Sequence, residues 1–522
     1  MTTMMRYGCG MIFRYPIQLI IILAGLTWCS ISSAQVRELP GTLGSTRTDS
    51  IPKGVMPLDT AVPVRYVLID HEKKVYEEND SFGLKDLNHY PLDFTDAHLG
   101  NLGSAYRPLM AKLNAPIGFS TGWQQYDPYF VNESAFRYYD QSIPVTRIHY
   151  SQASQENTYL TLKFGRSFAK GLSLSMEYDR INQVGEFGYQ RQKDTGLGIG
   201  VWHHSPSGRY DGFYCIISNT ATTQENGGIS QPELIGENLR PDADVPTFLT
   251  QGLTDHKHRD FVTRQVLHLT ADTASIGMDI WLKARFQSGL YKYADKGASA
   301  SPDYYGPTYL IDDRGVRQYT YVKENEESVG VTLPWHAAHS TIEGSLRYRG
   351  IDLQQEPIER KIHELYLDAA GRFQWVQPLV LHGELSLGLG QAQGTYSFRA
   401  FGELNTKLFG SLTGHWFIQS RNPYLMESRL YVNQELIYNR SFQNPFNTEV
   451  GVMWQHKKLD LEAGIKWMVM DQYIYFDSLA MPQQLSGSFS IKQIYVTKGF
   501  DFKWFGVRGK GVWQDVPRTE LA

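Results

Sequence analysis

Cysteines and long apolar runs are scarce in this 522-residue chain, and its net charge is small. It contains three cysteines, its formal net charge is −4, and charged residues make up 20% of it. So weak a net charge does not indicate a nucleic-acid partner. Beyond the N-terminus no segment has roughly 18 consecutive apolar residues, which excludes a membrane protein built from helices. A β-barrel is not excluded, because its strands carry alternating rather than continuous hydrophobicity.

The apolar run that does exist lies in residues 1–34, which have the features of a secretory signal. Arg6 and Arg14 supply a positive n-region, and Leu19–Leu26 forms the apolar h-region. Small residues at Ser32–Ala34 suit a cleavage site. The alternative, a transmembrane anchor, would need a longer run. We therefore expect export and cleavage near Ala34.

Few cysteines would remain after export. Cys29 raises the alternative of a lipoprotein, but bulky Trp28 precedes it where a small residue would be expected. After cleavage Cys215 alone remains, so we expect no intramolecular disulfide. Cys215 lies in a strand-like run and is predicted to be a small buried apolar side chain rather than a reactive thiol.

The residues that are abundant favour strands and turns. Aromatic residues make up 13% of the chain, and there are 32 Tyr and 47 Gly. The clearest hairpin is 157–181, with a short Gly-containing turn at 169–171. One face of its second arm carries Leu172, Leu174, Met176 and Tyr178, and the other carries Ser173, Ser175, Glu177 and Asp179. This period of two indicates a strand with one apolar and one polar face.

Alternation of this kind continues from residue 143 to near the end and predicts an all-β fold, a transmembrane antiparallel barrel of roughly 16–18 strands. We count strands near 143–152, 157–168, 172–182, 195–204, 209–219, 258–270, 275–293, 317–334, 340–353, 361–375, 379–391, 395–409, 411–421, 445–456, 459–476, 485–499 and 501–514. Residues 35–142 lack a sustained period, and 35–60 reads as an extended leader. We expect domains at 1–34 (signal), 35–142 (an irregular periplasmic collar or plug) and 143–522 (barrel).

Connection lengths alternate as well. Short turns are expected at 169–171, 205–208, 271–274, 336–339 and 456–458, and longer loops at 183–194, 220–257, 294–316 and 422–444. Outer-membrane barrels have short periplasmic turns and long external loops, whereas soluble sandwiches show no such bias. Trp202, Trp335, Trp375, Trp454 and Trp504 lie next to the short turns, as a periplasmic aromatic girdle would place them.

Motifs for catalysis or metal binding are weak. Gly118–Gly122 matches a nucleophile elbow, but the residues after it do not favour the helix that such an elbow requires. The pairs His203–His204 and His256/His258 lack a third ligand at a defined spacing. Gly196, Gly198 and Gly200 lack the helix of a dinucleotide site, and in a strand they indicate a bend or close packing. We therefore expect no enzyme activity, no cofactor and no metal.

The polar faces of the strands carry the functional signal. If the apolar faces meet lipid, the opposite faces line the lumen, and a barrel of roughly 16–18 strands leaves an aqueous channel. Ionisable groups of both signs on these faces need water or partners, since an unpaired charge is costly in a dry interior. The predicted pore-lining residues are Lys163, Glu177, Asp179, Glu343, Arg347, Arg349, Glu384, Arg399, Glu403, Lys407, Glu462 and Lys466, with Arg508 and Lys510 on the same faces.

The loop 220–257 is the longest connection and is rich in acids. If it folds into the lumen it would narrow the pore and favour cations. Lying over the outer rim is the open alternative. The candidate constriction residues are Glu225, Glu233, Glu237, Asp242 and Asp244.

An ordered set of short motifs resembles a known family. It comprises His89–Leu92, His98–Ala105, Tyr126–Tyr129, Arg137–Tyr139, Pro144–Thr146, Gly185–Gln192 and Glu225–Ile229. From about residue 60 onward the chain resembles the putative-porin family of outer-membrane β-barrels from Bacteroidetes. The resemblance implies a Gram-negative outer-membrane barrel with a porin role and no catalytic residues. Its expected partners are outer-membrane lipid, small polar solutes and the barrel-assembly machinery.

The C-terminus departs from the family pattern. Such barrels usually end in an aromatic residue that resembles the assembly signal, whereas this chain ends Val516–Ala522. The count of 17 strands is odd, although bacterial single-chain barrels have an even number. Either the count is wrong by one, or strands that belong after Ala522 are missing.

These observations favour an outer-membrane channel that admits small hydrophilic solutes by passive diffusion. The alternative from the enzyme class is an outer-membrane barrel hydrolase, which would need a catalytic cluster at the rim. The alternative from the binding class is an adhesin. The identity of the solute, the ion preference and the oligomeric state are not encoded in any pattern that we recognise.

Overall fold

The computed structural model describes residues 63–70, 74–78, 91–113, 116–154, 156–168, 171–236, 244–269, 277–300, 302–306, 309–335, 340–376, 378–406, 408–502 and 504–516. The expected signal at 1–34 and the leader at 35–60 lie outside these residues. So do the short turns expected at 271–274 and 336–339, and part of the turn at 169–171.

The first part of the chain has little regular structure. Its strands are β1 Val64–Val67, β2 Tyr76–Glu78, β3 Asp96–His98, β4 Tyr106–Pro108 and β5 Tyr138–Tyr139. β1 pairs with β2 and β5, and β3 pairs with β4, all antiparallel. A 3-10 turn spans Asp127–Tyr129. We call the described residues between 63 and 142 the plug segment.

A large antiparallel sheet follows. The strands after β5 are β6 Val145–Gln152, β7 Thr158–Phe168, β8 Leu172–Gln183, β9 Gln192–His204, β10 Tyr210–Glu225, β11 Gly252–His268, β12 Asp279–Asp295, β13 Val316–Pro334, β14 Thr341–Gln355, β15 Ile358–Val376, β16 Leu379–Gly390, β17 Tyr396–Thr406, β18 Gly410–Ser420, β19 Arg429–Val432, β20 Glu435–Asn439, β21 Phe446–His456, β22 Leu461–Asp471, β23 Ile474–Phe476, β24 Pro482–Gln484, β25 Ser488–Asp501 and β26 Gly506–Asp515. The pairs β19–β20 and β23–β24 form two loop hairpins.

Helices are short and few in this part of the chain. They span Pro302–Tyr305 and Leu425–Ser428, with 3-10 turns at Pro232–Leu234, Ala298–Ala300 and Lys457–Leu459. None of the helices in the described residues has the length and hydropathy needed to cross a membrane.

Seventeen strands of the described residues make up the large sheet, in the order of a barrel. Each of the 17 strands expected from the sequence corresponds to one of them. The boundaries differ mainly because strands extend into the long loops: β10 runs to Glu225 and β11 begins at Gly252, so the longest connection is 226–251 rather than 220–257. The expected strand 459–476 ends at Asp471, and the rest of it forms β23.

Strand direction constrains how the first and last strands of the large sheet can pair. Antiparallel pairings join the seventeen strands in chain order from β6 to β26. With an odd number of alternating strands, β6 and β26 run in the same direction, so a direct pairing between them would be parallel. The described residues give no pairing register between these two strands.

Burial in the sheet is inverted relative to a soluble sandwich. On β8, Ser175 is 1% exposed and Leu172 is 42% exposed. Arg264 and Asp260 of β11 are buried, while Leu267 of the same strand is exposed. Exposed apolar residues follow the outer face around the ring, including Ile148, Ile216, Leu282, Leu346, Leu367, Leu387, Trp416, Ile465, Ile494 and Trp513. An apolar belt of this extent suits lipid, since soluble monomers rarely expose patches beyond a few hundred Å².

Candidate functional site

The interior of the barrel is the candidate site, and the plug segment occupies much of it. The segment contacts inward-facing residues on each strand from β6 to β15, and also on β25 and β26. Sequence analysis left a collar or a plug as alternatives for this region. The contacts place it inside the ring of strands.

Backbone recognition anchors the middle of the plug segment. The side chain of Asn219, on β10, accepts a hydrogen bond from Val131 N–H and donates one to Val131 C=O, both at 3.0 Å. This amide therefore imitates one step of a β-ladder. Nearby, Phe136 and Tyr138 pack into a buried cluster with Cys215 of β10. Cys215 is 1% exposed, which agrees with its predicted role as a small buried side chain.

Ion pairs join the plug segment to the wall at several points. Lys283 of β12 lies 2.9 Å from Asp70 and 3.1 Å from Glu133. Burial of opposite charges without their partners would cost several kcal/mol for each ion, so mutual pairing is required here. At the far side of the segment Asp93 pairs with Lys510 of β26. The hydrogen bond from Lys510 holds the pKa of Asp93 below its usual value.

Glycine on β9 permits close packing of the plug segment. A Cβ atom at Gly198 would lie 2.8 Å from a ring carbon of Phe136, and one at Gly196 would lie 2.9 Å from Val131. A Cβ at Gly200 would also collide with Phe136. Of the two interpretations offered for these glycines, a bend or close packing, the structure shows close packing.

The nucleophile-elbow motif forms another docking point. Phe119 N–H donates to Glu364 of β15 at 2.8 Å, and Phe119 C=O accepts from Arg349 of β14 at 3.4 Å. A side chain at Gly118 would collide with the Tyr366 hydroxyl. The motif is a Gly-containing bend against the wall, and no helix follows it directly.

The first three predicted pore-lining residues lie on the opening hairpin. Lys163 of β7 and Glu177 of β8 form an ion pair, and Asp179 occupies the next inward position on β8. Tyr139 of the plug segment covers the preceding inward position, and its N–H donates to Ser175 Oγ at 2.9 Å. A partner charge therefore stabilises the ions of Lys163 and Glu177 on this wall.

A buried network holds the next group. Arg349 pairs with Glu324 at 2.9 Å and with Glu364 at 2.8 Å. Arg347 pairs with Asp368 at 2.8 Å. Glu343, the third predicted residue on β14, accepts a hydrogen bond from Thr332 of β13. These residues lie on the interior face, but the guanidinium groups are engaged by carboxylates and by the plug segment.

The remaining candidates lie where the plug segment leaves the wall uncovered. Glu384 of β16 and Arg399 of β17 are 4.0 Å apart, with side chains 44% and 35% exposed. Glu403 is exposed and Glu462 is half-buried. Lys466 of β22 lies 3.6 Å from Glu449. We call this inner surface of β16, β17, β18, β21 and the first half of β22 the open side. Lys407 lies outside the described residues.

The acidic loop is only partly described. Glu225 belongs to β10 rather than to the loop, is half-buried, and accepts a hydrogen bond from Thr254. Glu233 and Asp244 are exposed, while Glu237 and Asp242 lie outside the described residues. The loop pairs with itself, since Phe248 N–H donates to Gly228 C=O. Its effect on ion preference stays a prediction.

One member of the predicted tryptophan girdle is misplaced. Trp202 is buried inside the barrel, where it stacks on Phe213 and donates to Asp211 at 2.8 Å. It belongs to the interior face because it continues the alternation of the β9 glycines. Trp335 and Trp504 are exposed, as a girdle requires.

Residues that the sequence reading missed complete the interior. Lys283, Arg285, Glu324 and Glu364 all occupy inward positions on strands that were predicted. His268 was missed too, and it bridges two strand carboxylates at 2.7 and 2.8 Å. Extending the period of two through 258–270, 275–293, 317–334 and 361–375 would have identified these positions. No group of three or more His, Cys, Asp or Glu that could hold a metal occurs in the described residues.

A cavity of about 340 Å³ lies between the plug segment and the wall. The plug segment contributes Trp123, Asp127 and Glu133 to its lining, and the wall contributes residues of β11, β12, β13 and β14. Trp123 stacks on Tyr291 of β12, with ring centroids 4.0 Å apart and planes 2° apart. His256 and His258, the histidine pair noted in the sequence, both line this cavity.

The chain matches one protein family over most of its length. The family is described as Putative porin, and the match spans residues 88–521. No curated protein matches the chain.

Among solved structures the chain is similar to the copper transporter OprC, at a TM-score of 0.50, and to two receptors from Acinetobacter baumannii, each at 0.46. These receptors are BauA, for ferric preacinetobactin, and PirA, for siderophores. Sequence identity is 9% in each case, so the likeness to OprC shows the fold alone. The match covers 72% of this chain and 62% of each of these structures.

The family match and the inverted burial of the sheet agree with each other. A polar interior, an apolar outer belt and alternating strands are the features of an outer-membrane β-barrel. The match extends over more than four hundred residues and includes both the barrel strands and most of the plug segment. The chain therefore belongs to the family described as Putative porin.

Proposed function

We propose that this barrel is an outer-membrane channel for the passive diffusion of small hydrophilic solutes, and that the solutes pass along the open side. The observation that carries the proposal is a difference in exposure between the two halves of the interior. Glu384 and Arg399 remain 44% and 35% exposed. Arg349 and Glu364, beneath the plug segment, are 9% and 1% exposed.

Charge placement on the open side supports a route for polar solutes. Glu384 and Arg399 face each other at 4.0 Å, and Lys466 lies 3.6 Å from Glu449. Paired charges of both signs keep a wall hydrated without creating a strong barrier to either sign of ion. Phe401, which is 41% exposed, interrupts the charged surface and stacks on His382.

Purified protein in planar bilayers tests the route. A Glu384→Cys variant, treated with a charged methanethiosulfonate reagent, is expected to lose conductance because the added group narrows the open side. Ser175→Cys is the matched control, since Ser175 lies beneath Tyr139 and its thiol should not react. The untreated wild type controls for buried Cys215. A folded barrel with no conductance would defeat the proposal, and so would equal block at both positions.

A second function is favoured by the extent of the plug segment. Its contacts reach from β6 to β15 and to β25 and β26, so transport of larger solutes would require its displacement. The barrel would then be an uptake channel that opens on demand. Conductance that is absent in the wild type but present when a plug contact is removed would favour this second function.

The proposal extends to export and to the surroundings of the barrel. Residues 1–34 would be removed near Ala34, lipid would meet the outer belt, and the barrel-assembly machinery would insert the chain. N-terminal sequencing of the protein from outer-membrane fractions tests the cleavage. A mature protein that begins at Met1 would contradict it.

A further inference from the structure

The cavity of about 340 Å³ between the plug segment and the wall has unmet hydrogen-bonding capacity. His256 and Asp260 face inward on β11, with one inward position between them. Both residues are more than nine-tenths buried. Neither His256 Nδ1 nor Asp260 Oδ1 has a hydrogen-bond partner among the described residues. Trp123 Nε1, Glu133 Oε2 and Arg285 Nε are unpartnered in the same sense. Buried polar atoms are normally satisfied, so five such atoms around one cavity, three of them on ionisable carboxylate or imidazole groups, indicate a missing ligand.

The charges around the cavity are unequal. Among the described residues that line it, four carboxylates stand against two guanidinium groups, and Lys283, behind the lining, pairs with one of the four, Glu133, at 3.1 Å. Arg285 lies 3.2 Å and Arg349 2.9 Å from Glu324, so both cations are already engaged. Within the described part of the chain, Asp260 has only His258 as an ion-pair partner, at 3.3 Å.

Asp127 adds to the negative excess. It lines the cavity with no cation within ion-pairing distance among the described residues. Its side chain still contacts solvent, but enclosure within the barrel raises its pKa to about 7. A bound cation would offset the cost of ionising this carboxyl group.

The shape and lining of the cavity narrow the chemistry further. Aromatic side chains enclose it, namely Phe119, Trp123, Phe130 and Tyr291. Aromatic faces attract cations by about 0.5–2 kcal/mol each. The volume is far larger than a bare metal ion needs and suits a small organic molecule. Unpartnered carboxylate oxygens require N–H or O–H donors on that molecule.

We propose that this cavity binds a small organic cation with a primary ammonium group, held by Asp260, Asp127 and Glu133 against the Trp123–Tyr291 pair. The ammonium donates to the free carboxylate oxygens, and the aromatic rings surround its alkyl part. The site lies under the filled half of the wall, away from the open side. The inference therefore goes beyond the proposed diffusion route and does not depend on it.

Calorimetric titration of the folded protein in detergent tests the inference. The probe is 1,5-diaminopentane, and 1,5-pentanediol is the matched neutral molecule of the same length. We expect saturable binding of the diamine and none of the diol. Asp260→Asn, which preserves shape and removes the charge, should weaken diamine binding at least tenfold. Glu384→Gln, on the open side, should leave it unchanged.

The outcomes separate cleanly. No saturable diamine binding by the folded wild type, or equal binding of the diol, overturns the inference. An affinity that is insensitive to Asp260→Asn but falls with Glu384→Gln also overturns it, because the cation would then bind on the open side. If Asp260→Asn does not fold, Asp127→Asn provides the same comparison from the plug segment. Because binding is measured without a bilayer, a failure of conduction leaves this result intact.

Discussion

Replacing Asn219 with alanine should loosen the plug segment, and native Cys215 should report it. The substitution removes both 3.0 Å hydrogen bonds between the Asn219 side chain and Val131. The buried N–H and C=O of Val131 then lose these partners. Each unsatisfied buried group costs about 1–3 kcal/mol. Because water can enter part of the vacated space, we expect the free energy that favours docking of the plug segment to fall by about 2–4 kcal/mol. At about 1.4 kcal/mol for each factor of ten, undocking becomes roughly 30- to 1,000-fold more frequent.

The assay is alkylation of Cys215, which lies in the same buried cluster as Phe136 and Tyr138. Its modification by a maleimide requires local opening, so the rate follows the undocked population. Mass spectrometry of the peptide that contains Cys215 measures the rate in folded protein. Asn182→Ala is the matched control, because its side chain donates to Glu156 C=O in a loop and not to the plug segment among the described residues. Equal rates in the wild type and Asn219→Ala would refute the argument that this amide holds the segment.

Two further substitutions test the same interior. Gly198→Leu should displace Phe136, whose ring would lie 2.8 Å from the new Cβ, and should raise Cys215 alkylation. Gly344→Leu, where a Cβ meets nothing within 4 Å, should not. Arg349→Met leaves the carboxylate of Glu324 with one guanidinium partner fewer and should destabilise the barrel by about 3–5 kcal/mol. In gel electrophoresis, the migration that is characteristic of the folded barrel should then be lost at a lower temperature than in the wild type. An unchanged melting profile for Arg349→Met would show that the network is not structurally important.

Paired charges explain why the interior is not simply a water-filled pore. Ionisable groups on the inner faces need either water or partners. Arg349 obtains partners from β13 and β15, and Lys283 obtains them from Asp70 and Glu133 of the plug segment. The open side, where Glu384 and Arg399 are exposed, stays accessible to solvent. The interior therefore divides into a docked half and a solvated half.

Much of the wall was predictable because alternation is a local property. In Leu172–Tyr178 successive side chains point to opposite faces, so the apolar and polar faces follow directly from the residues. The same rule placed Lys163, Arg347 and Glu403 on the inner face. It failed for Trp202, where proximity to a turn was given more weight than the alternation with Gly196, Gly198 and Gly200.

The sequence by itself determined that the strands have one lipid-facing and one inward face, and where most of them begin and end. Only the tertiary structure decided what fills the ring. Asp70 and Lys283 are 213 residues apart, and Asn219 and Val131 are 88 residues apart. No period in the plug segment encodes such pairings, because they depend on which inner surfaces the arrangement of strands brings together. Packing and charge compensation between distant residues therefore set the candidate route and the candidate cation site.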